Sequence, residues 1–165
     1  MADYAYDRAC RLEAKGYKPE QEWKSHNMVS VSENGKTYKV EVGRHLDSAV
    51  FPIDGVIIKI GQKCDKFLSV VAENHLESVG TAVFIELKGV DISHAVDQLE
   101  ETIKNNIFKP YPTPNDKVRA RIITGGCGPK SSSRIKIEQA RIRFKQQYNV
   151  ELKVLKNLQT DNPIK

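Results

Sequence analysis

The alternation of apolar and polar positions divides this chain into short segments with distinct periods. Met28 to Val42 is the clearest. Val29 and Val31 alternate with serines, Asn34-Gly35 suits the two positive φ angles of a type I′ turn, and Tyr38, Val40 and Val42 alternate on the return. Pairing across that turn sets Val31 opposite Tyr38 and Val29 opposite Val40, so one face of the hairpin is apolar. A second pair of β-branched, apolar runs spans Lys63 to Val71 and Thr81 to Gly89, separated by the polar stretch Glu73 to Ser78. It predicts two strands folded about a turn centred near His75 and Leu76.

Helical spacing marks three further segments. Ala5, Ala9 and Leu12 predict a helix over 3–15, with Gly16 suited to its C-terminal cap. Ile92, Val96, Leu99 and Ile103 form one stripe over 91–105, which Asp91 can cap. Ile137, Ala140, Phe144 and Tyr148 form another over 131–148. Between these, 43–52 reads as a connection and Ile53 to Gly61 as a strand buried on both faces, entered through an Asp54-Gly55 turn. Lys117 to Thr124 and Val150 to Leu155 read as strands. Arg119 and Arg121 share one face of the former, where they would meet phosphate or water. The predicted architecture is α/β: a central mixed sheet built from an antiparallel meander and flanked by helices. It forms a single domain over 1–158, and the polar residues 159–165 read as a flexible tail.

Composition narrows the class. The 165 residues suit one domain, and 39% hydrophobic with 28% charged residues excludes a disordered chain. No run of 18 apolar residues occurs, which excludes a membrane-spanning helix, and the N-terminus lacks the basic and apolar regions of a signal peptide. Three cysteines without CxxC spacing argue against a zinc site or a disulfide framework and point to a reducing, cytoplasmic setting. The net charge of +5 is compatible with a nucleic-acid partner. The segment from Thr124 to Ser132 is glycine-rich but fails the Walker spacing, because Pro129 separates Gly128 from Lys130.

The second hairpin carries the candidate chemistry. Folding about His75 and Leu76 places Asp65 opposite Glu86, and Lys88, two residues on, shares their face. Two adjacent carboxylates repel unless a positive charge lies between them. A divalent cation on oxygen ligands is one solution, and a neighbouring lysine can orient a water. A surface ion cluster is the alternative.

Asp65, then Glu86-Leu87-Lys88 on the next strand, then a helix carrying Gln98, resembles the PD-(D/E)xK nuclease superfamily with its restriction-endonuclease-like fold, over residues 54–124. A further acid on a helix before the aspartate strand has no clear equivalent, and Asp54, Glu41 and Glu13 are the candidates. The resemblance implies a metal-dependent nuclease acting on DNA, and less so on RNA. In it, Asp65 and Glu86 hold Mg²⁺ or Mn²⁺ with the Leu87 carbonyl, Lys88 assists the attacking water and Gln98 orients the site. The basic residues Lys130, Arg134, Arg141, Arg143 and Lys145, on or just before the 131–148 helix, are candidate phosphate contacts. A homodimer, or a subunit of a larger complex, fits so small a chain. The alternative from another class is a catalytically inactive nuclease-fold module that binds nucleic acid or a protein.

Overall fold

The computed structural model describes residues 3–72, 80–87, 91–125 and 131–165. The predicted turn near His75 and Leu76, Lys88 and Lys130 lie outside these residues. The chain opens with helix α1 (Tyr4–Ala14), capped by the Asp3 carboxylate, which accepts from the Ala5 amide, and closed by Gly16 at φ +89°. Strands β1 (Gln21–Ser25), β2 (Met28–Glu33), β3 (Lys36–Glu41) and β4 (Leu46–Pro52) follow. Next come β5 (Lys66–Ala72), β6 (Thr81–Leu87), α2 (Ile92–Lys104), a single 3-10 turn at Asn106–Phe108 and β7 (Lys117–Thr124). Helix α3 (Ser131–Tyr148), β8 (Val150–Lys156) and β9 (Thr160–Asp161) complete the chain.

Six strands form a mixed sheet in the order β1–β4–β5–β6–β7–β8. The pairs from β1 to β6 are antiparallel, whereas β6, β7 and β8 run parallel, joined by crossovers through α2 and α3. Parallel neighbours need such crossovers, and the helices then cover the sheet. One face of β5, β6 and β7 contributes Phe67, Val71, Ala82, Phe84, Ala120 and Ile122 to a core shared with the helices. The other face contributes Leu68, Val70, Val83, Ile85, Leu87 and Ile123 to a second core. That second core is closed by a three-stranded sheet, β2–β3–β9, through Val29, Val31, Tyr38 and Val40. Burial on both faces explains the nearly unbroken apolar run Thr81–Leu87.

The first hairpin has its expected register, Val31 opposite Tyr38 and Val29 opposite Val40, with Asn34 and Gly35 both at positive φ. The α/β class and the mixed sheet are present, but four local expectations need correction. The connection expected over 43–52 contains β4, whose Ala49, Val50 and Phe51 are fully buried. The strand expected over Ile53 to Gly61 is a tight turn instead. The amides of Val56, Ile57 and Ile58 all converge on the Ile53 carbonyl at 3.0–3.3 Å, and Gly55 adopts φ +74°. Its apolar residues divide accordingly: Ile53, Ile57 and Ile58 are buried, whereas Ile60 is 90% exposed.

The third correction concerns residues 159–165. Thr160–Asp161 is β9, paired parallel to β3. Asp161 is buried and accepts from the Tyr38 hydroxyl at 2.7 Å and from Arg121 Nε at 2.6 Å. The fourth follows from it. Arg121 is fully buried and also donates to the Glu151 carboxylate at 3.0 Å, while Arg119 Nε donates to the Pro163 carbonyl at 3.0 Å. The two arginines therefore hold the C-terminal segment and do not face solvent phosphate. Strand β1, polar except for Trp23, had no apolar pattern to announce it. Among the described residues, no helix is long and apolar enough to cross a membrane.

Candidate functional site

The pairing of β5 with β6 runs Lys66 to Ile85, Phe67 to Phe84, Leu68 to Val83. The ladder ends at Lys66 and Ile85, so the expected pairing of Asp65 with Glu86 falls one residue beyond it. Asp65 lies at the start of the ladder. Its amide donates to the Ile85 carbonyl at 3.0 Å, and its carbonyl accepts from the Ile53 amide at 2.9 Å. Its side chain extends the ladder in place of a backbone carbonyl, Oδ2 accepting from the Leu87 amide at 2.7 Å. Glu86 alternates with Ala82 and Phe84, so its position belongs to the helix-covered face, and it is 1% exposed.

Helix α2 fixes the segment leading to Asp65. Gln98 Nε2 donates to the Lys63 carbonyl at 3.0 Å, and the Cys64 amide donates to Thr102 Oγ1 at 2.8 Å. Gln98 thus stands one turn before a second clamp residue on the same helix. Its Oε1 is buried and accepts no hydrogen bond among the described residues. Between the clamps, Cys64 is fully buried. Burial drives its thiol far above the ordinary range, and the charges of Glu86 and Asp65 push in the same direction. A buried thiol beside two carboxylates stays protonated and is no nucleophile.

Burial likewise raises the Asp65 carboxyl, from 3.8 to about 6, against the lowering effect of the Leu87 amide. Glu33 and Asp54 add to the rise, and Lys66 opposes it. Glu33, at the end of β2, did not stand out in the sequence because it sits at a hairpin turn. Asp54, one of the candidate third acids, is within electrostatic reach of Asp65 and is itself 3.4 Å from Lys63 Nζ. Glu13 and Glu41 are elsewhere: Glu13 accepts from Trp23 Nε1 at 2.6 Å and Glu41 from Asn162 at 3.2 Å. Lys66 pairs with Glu20 at 2.9 Å and stands 3.8 Å from Glu33. Among the described residues, no group of three or more His, Cys, Asp or Glu side chains gathers as a metal site.

No family model, curated protein or solved structure matches this chain. Its chemistry is therefore read from its own residues.

The basic positions of α3 divide into separate groups. Arg143 makes a two-point contact with Glu100 of α2, Nε and Nη2 each 2.9 Å from a carboxylate oxygen. Burial alone would raise the Glu100 carboxyl, but hydrogen bonds from Arg143 and Tyr148 hold it below its ordinary value. Arg143 therefore ties α3 to α2. Lys145 reaches Asn149 at 2.8 Å, at the far end of the helix. Arg134 and Arg141 line a cavity between α3 and the end of β8. The sequence reading grouped all of these because it sees one helix and not its neighbours.

Proposed function

We propose that the protein is a metal-dependent nuclease that hydrolyses phosphodiester bonds in DNA, with RNA the lesser alternative, in the manner of the PD-(D/E)xK superfamily it resembles. The observation carrying this reading is Asp65, a buried carboxyl raised to about 6 that caps the end of the β5–β6 ladder by accepting from the Leu87 amide beside Glu86. Perturbed carboxyls of this kind concentrate at functional sites. The order of elements supports it too: three antiparallel strands β4, β5 and β6, then α2, then the parallel strand β7. A restriction-endonuclease-like fold and a cytoplasmic location belong to this proposal.

The donor set suits Mg²⁺ or Mn²⁺. Magnesium takes oxygen ligands and keeps several waters, so one or two carboxylates suffice. Asp65 and Glu86 would hold it, with the Leu87 carbonyl as a further ligand, and the buried Gln98 Oε1 is an acceptor suited to a water. When bound, the ion supplies a Lewis acid for the phosphate and a water of lowered pKa. Lys88 orients the attacking water and stabilises the charge that develops on phosphorus-bound oxygens. Gln98 acts as a positioning residue, since it holds the Lys63 carbonyl two residues before Asp65.

The uncertain third acid favours a second reading, a catalytically inactive nuclease-fold module that binds nucleic acid or a protein. One assay separates the two. Labelled single-stranded, duplex and branched DNA are incubated with Mg²⁺ or Mn²⁺, with the wild-type protein beside Lys88→Ala. We expect cleavage of at least one substrate and a loss of about 10²–10³-fold in the variant. Salt-sensitive binding without cleavage would establish the inactive module instead.

A further inference from the structure

The parallel strands β6, β7 and β8 all end on the same edge of the large sheet, and β5 begins there. The register sets Glu86 against Ile122 and Ile122 against Val154, so these three positions form one row across the helix-covered face. Glu86 belongs to the proposed active site. Val154, two strands away, lines a cavity of about 400 Å³ between α3 and β8. Adjacent strands lie about 4.8 Å apart, so the two positions are separated by roughly 10 Å along the edge. In open α/β sheets, ligands bind in crevices outside the carboxyl ends of the strands.

The cavity has two chemically distinct parts. Ile137 and Val154 give it an apolar floor, and Arg134, Arg141 and Lys156 surround that floor with positive charge. Among the described residues, Glu138 is the one carboxylate in its lining, and it pairs with Arg141. Arg141 is also braced from behind, Nε donating to the Leu152 carbonyl at 3.3 Å. Arg134 and Lys156 are exposed. The volume falls in the roughly 300–1,000 Å³ range of small-ligand sites. An apolar slot with cations on its rim fits a ligand with a flat apolar body and an anionic appendage.

We infer that this cavity takes one unstacked nucleotide of a single-stranded nucleic acid, its base on Ile137 and Val154 and its phosphate on Arg134, Arg141 and Lys156. The choice of a nucleic acid over another such anion rests on the function proposed above. A separation of roughly 10 Å is about three stacked nucleotides at 3.4 Å each. A strand lying along the edge thus presents one nucleotide to the cavity and a phosphodiester to Asp65 and Glu86. Duplex DNA keeps its bases stacked and cannot fill the slot without unpairing.

The test uses the whole protein in EDTA, so that binding is read apart from cleavage. Fluorescence anisotropy follows a short labelled oligo(dT) and the matching duplex at low salt. Arg134→Ala with Lys156→Ala is compared with Lys15→Ala with Lys18→Ala, which removes the same charge from exposed positions elsewhere. The inference predicts that wild type binds oligo(dT) about tenfold or more tighter than duplex. It also predicts that the cavity variant alone loses about tenfold, with its log–log salt slope reduced by about 1.4. Equal losses in both variants, no loss in the cavity variant, or equal affinity for duplex would overturn it. Cleavage of DNA by a protein that does not hold oligo(dT) through the cavity would sink the inference and leave the nuclease standing. Cavity-dependent binding with no cleavage under Mg²⁺ or Mn²⁺ would do the reverse.

Discussion

Asp161→Ala is expected to destabilise the protein by about 3–5 kcal/mol, although only four residues of this sequence follow it. The carboxylate is buried between the Tyr38 hydroxyl, 2.7 Å away, and Arg121 Nε, 2.6 Å away. Arg121 is fully buried on β7. Its second carboxylate, Glu151, is more exposed and approaches only Nη2, at 3.0 Å. Removing Asp161 strips a buried guanidinium of its inner counter-charge and leaves a buried hydroxyl without its acceptor. Replacing a buried ion pair by apolar residues is often neutral, whereas deleting one partner is costly. Urea unfolding should therefore show a lower midpoint at unchanged slope. A loss below about 1 kcal/mol would mean that β9 contributes no more than a surface strand.

The second large effect has opposite signs for activity and stability. Asp65→Asn should abolish cleavage, by about a hundredfold or more, while raising stability at neutral pH. The Asn amide oxygen can still accept from the Leu87 amide, so the ladder end survives. What disappears is a negative charge that burial, Glu33 and Asp54 all disfavour. A carboxyl at 3.8 in the unfolded chain and about 6 in the fold binds more protons when folded. Its ionisation therefore lowers stability as pH rises from about 4 to 6, and the full cost persists above 6. That rise corresponds to at most about 3 kcal/mol, and solvent at the sheet edge reduces it to on the order of 1–2 kcal/mol. Thermal unfolding across pH 4 to 8 measures it: the gain in the Asn variant should be absent near pH 4 and complete above pH 6. A variant less stable than wild type at pH 7 would show that Asp65 is a structural ligand of the backbone, with no stored cost for function to explain.

Where local chemistry dictates geometry, the sequence was a good guide. Asn34 and Gly35 accept positive φ, so only one register was open to the first hairpin, and alternation then chose its buried face. The same two-residue period gave the register of β5 on β6, Lys66 opposite Ile85 and Phe67 opposite Phe84. Stripes at helical spacing located α2 and α3 because each buries one continuous face. The errors came where apolar content and ladder formation part company. Ile57 and Ile58 are buried in a turn, while β4 carries the polar pair Asp47-Ser48 in its first half and still enters the sheet.

Long-range pairings were the least legible. Arg121 and Asp161 are forty residues apart, and nothing in either neighbourhood announces the partner. A two-residue strand has no period to detect, so residues 159–165 resembled a tail. The candidate site divides in the same way. Asp65 and Glu86 followed from one hairpin, but Glu33 comes from the other sheet, and its effect on Asp65 required the packing of two layers. Arg134, Arg141 and Arg143 looked equivalent on one basic helix. Only the position of Glu100 on α2 separates the last from the other two.

The most direct measurement is the initial rate of Mn²⁺- and Mg²⁺-dependent cleavage of labelled single-stranded DNA by wild type and Glu86→Gln, side by side at pH 7.5. A neutral amide in place of a buried carboxylate that helps hold the ion removes the negative charge that attracts it and weakens metal binding. The proposed site predicts metal-dependent cleavage by wild type and a rate at least a hundredfold lower in the variant. Equal rates in the two proteins, or no cleavage by wild type with either ion, would contradict it.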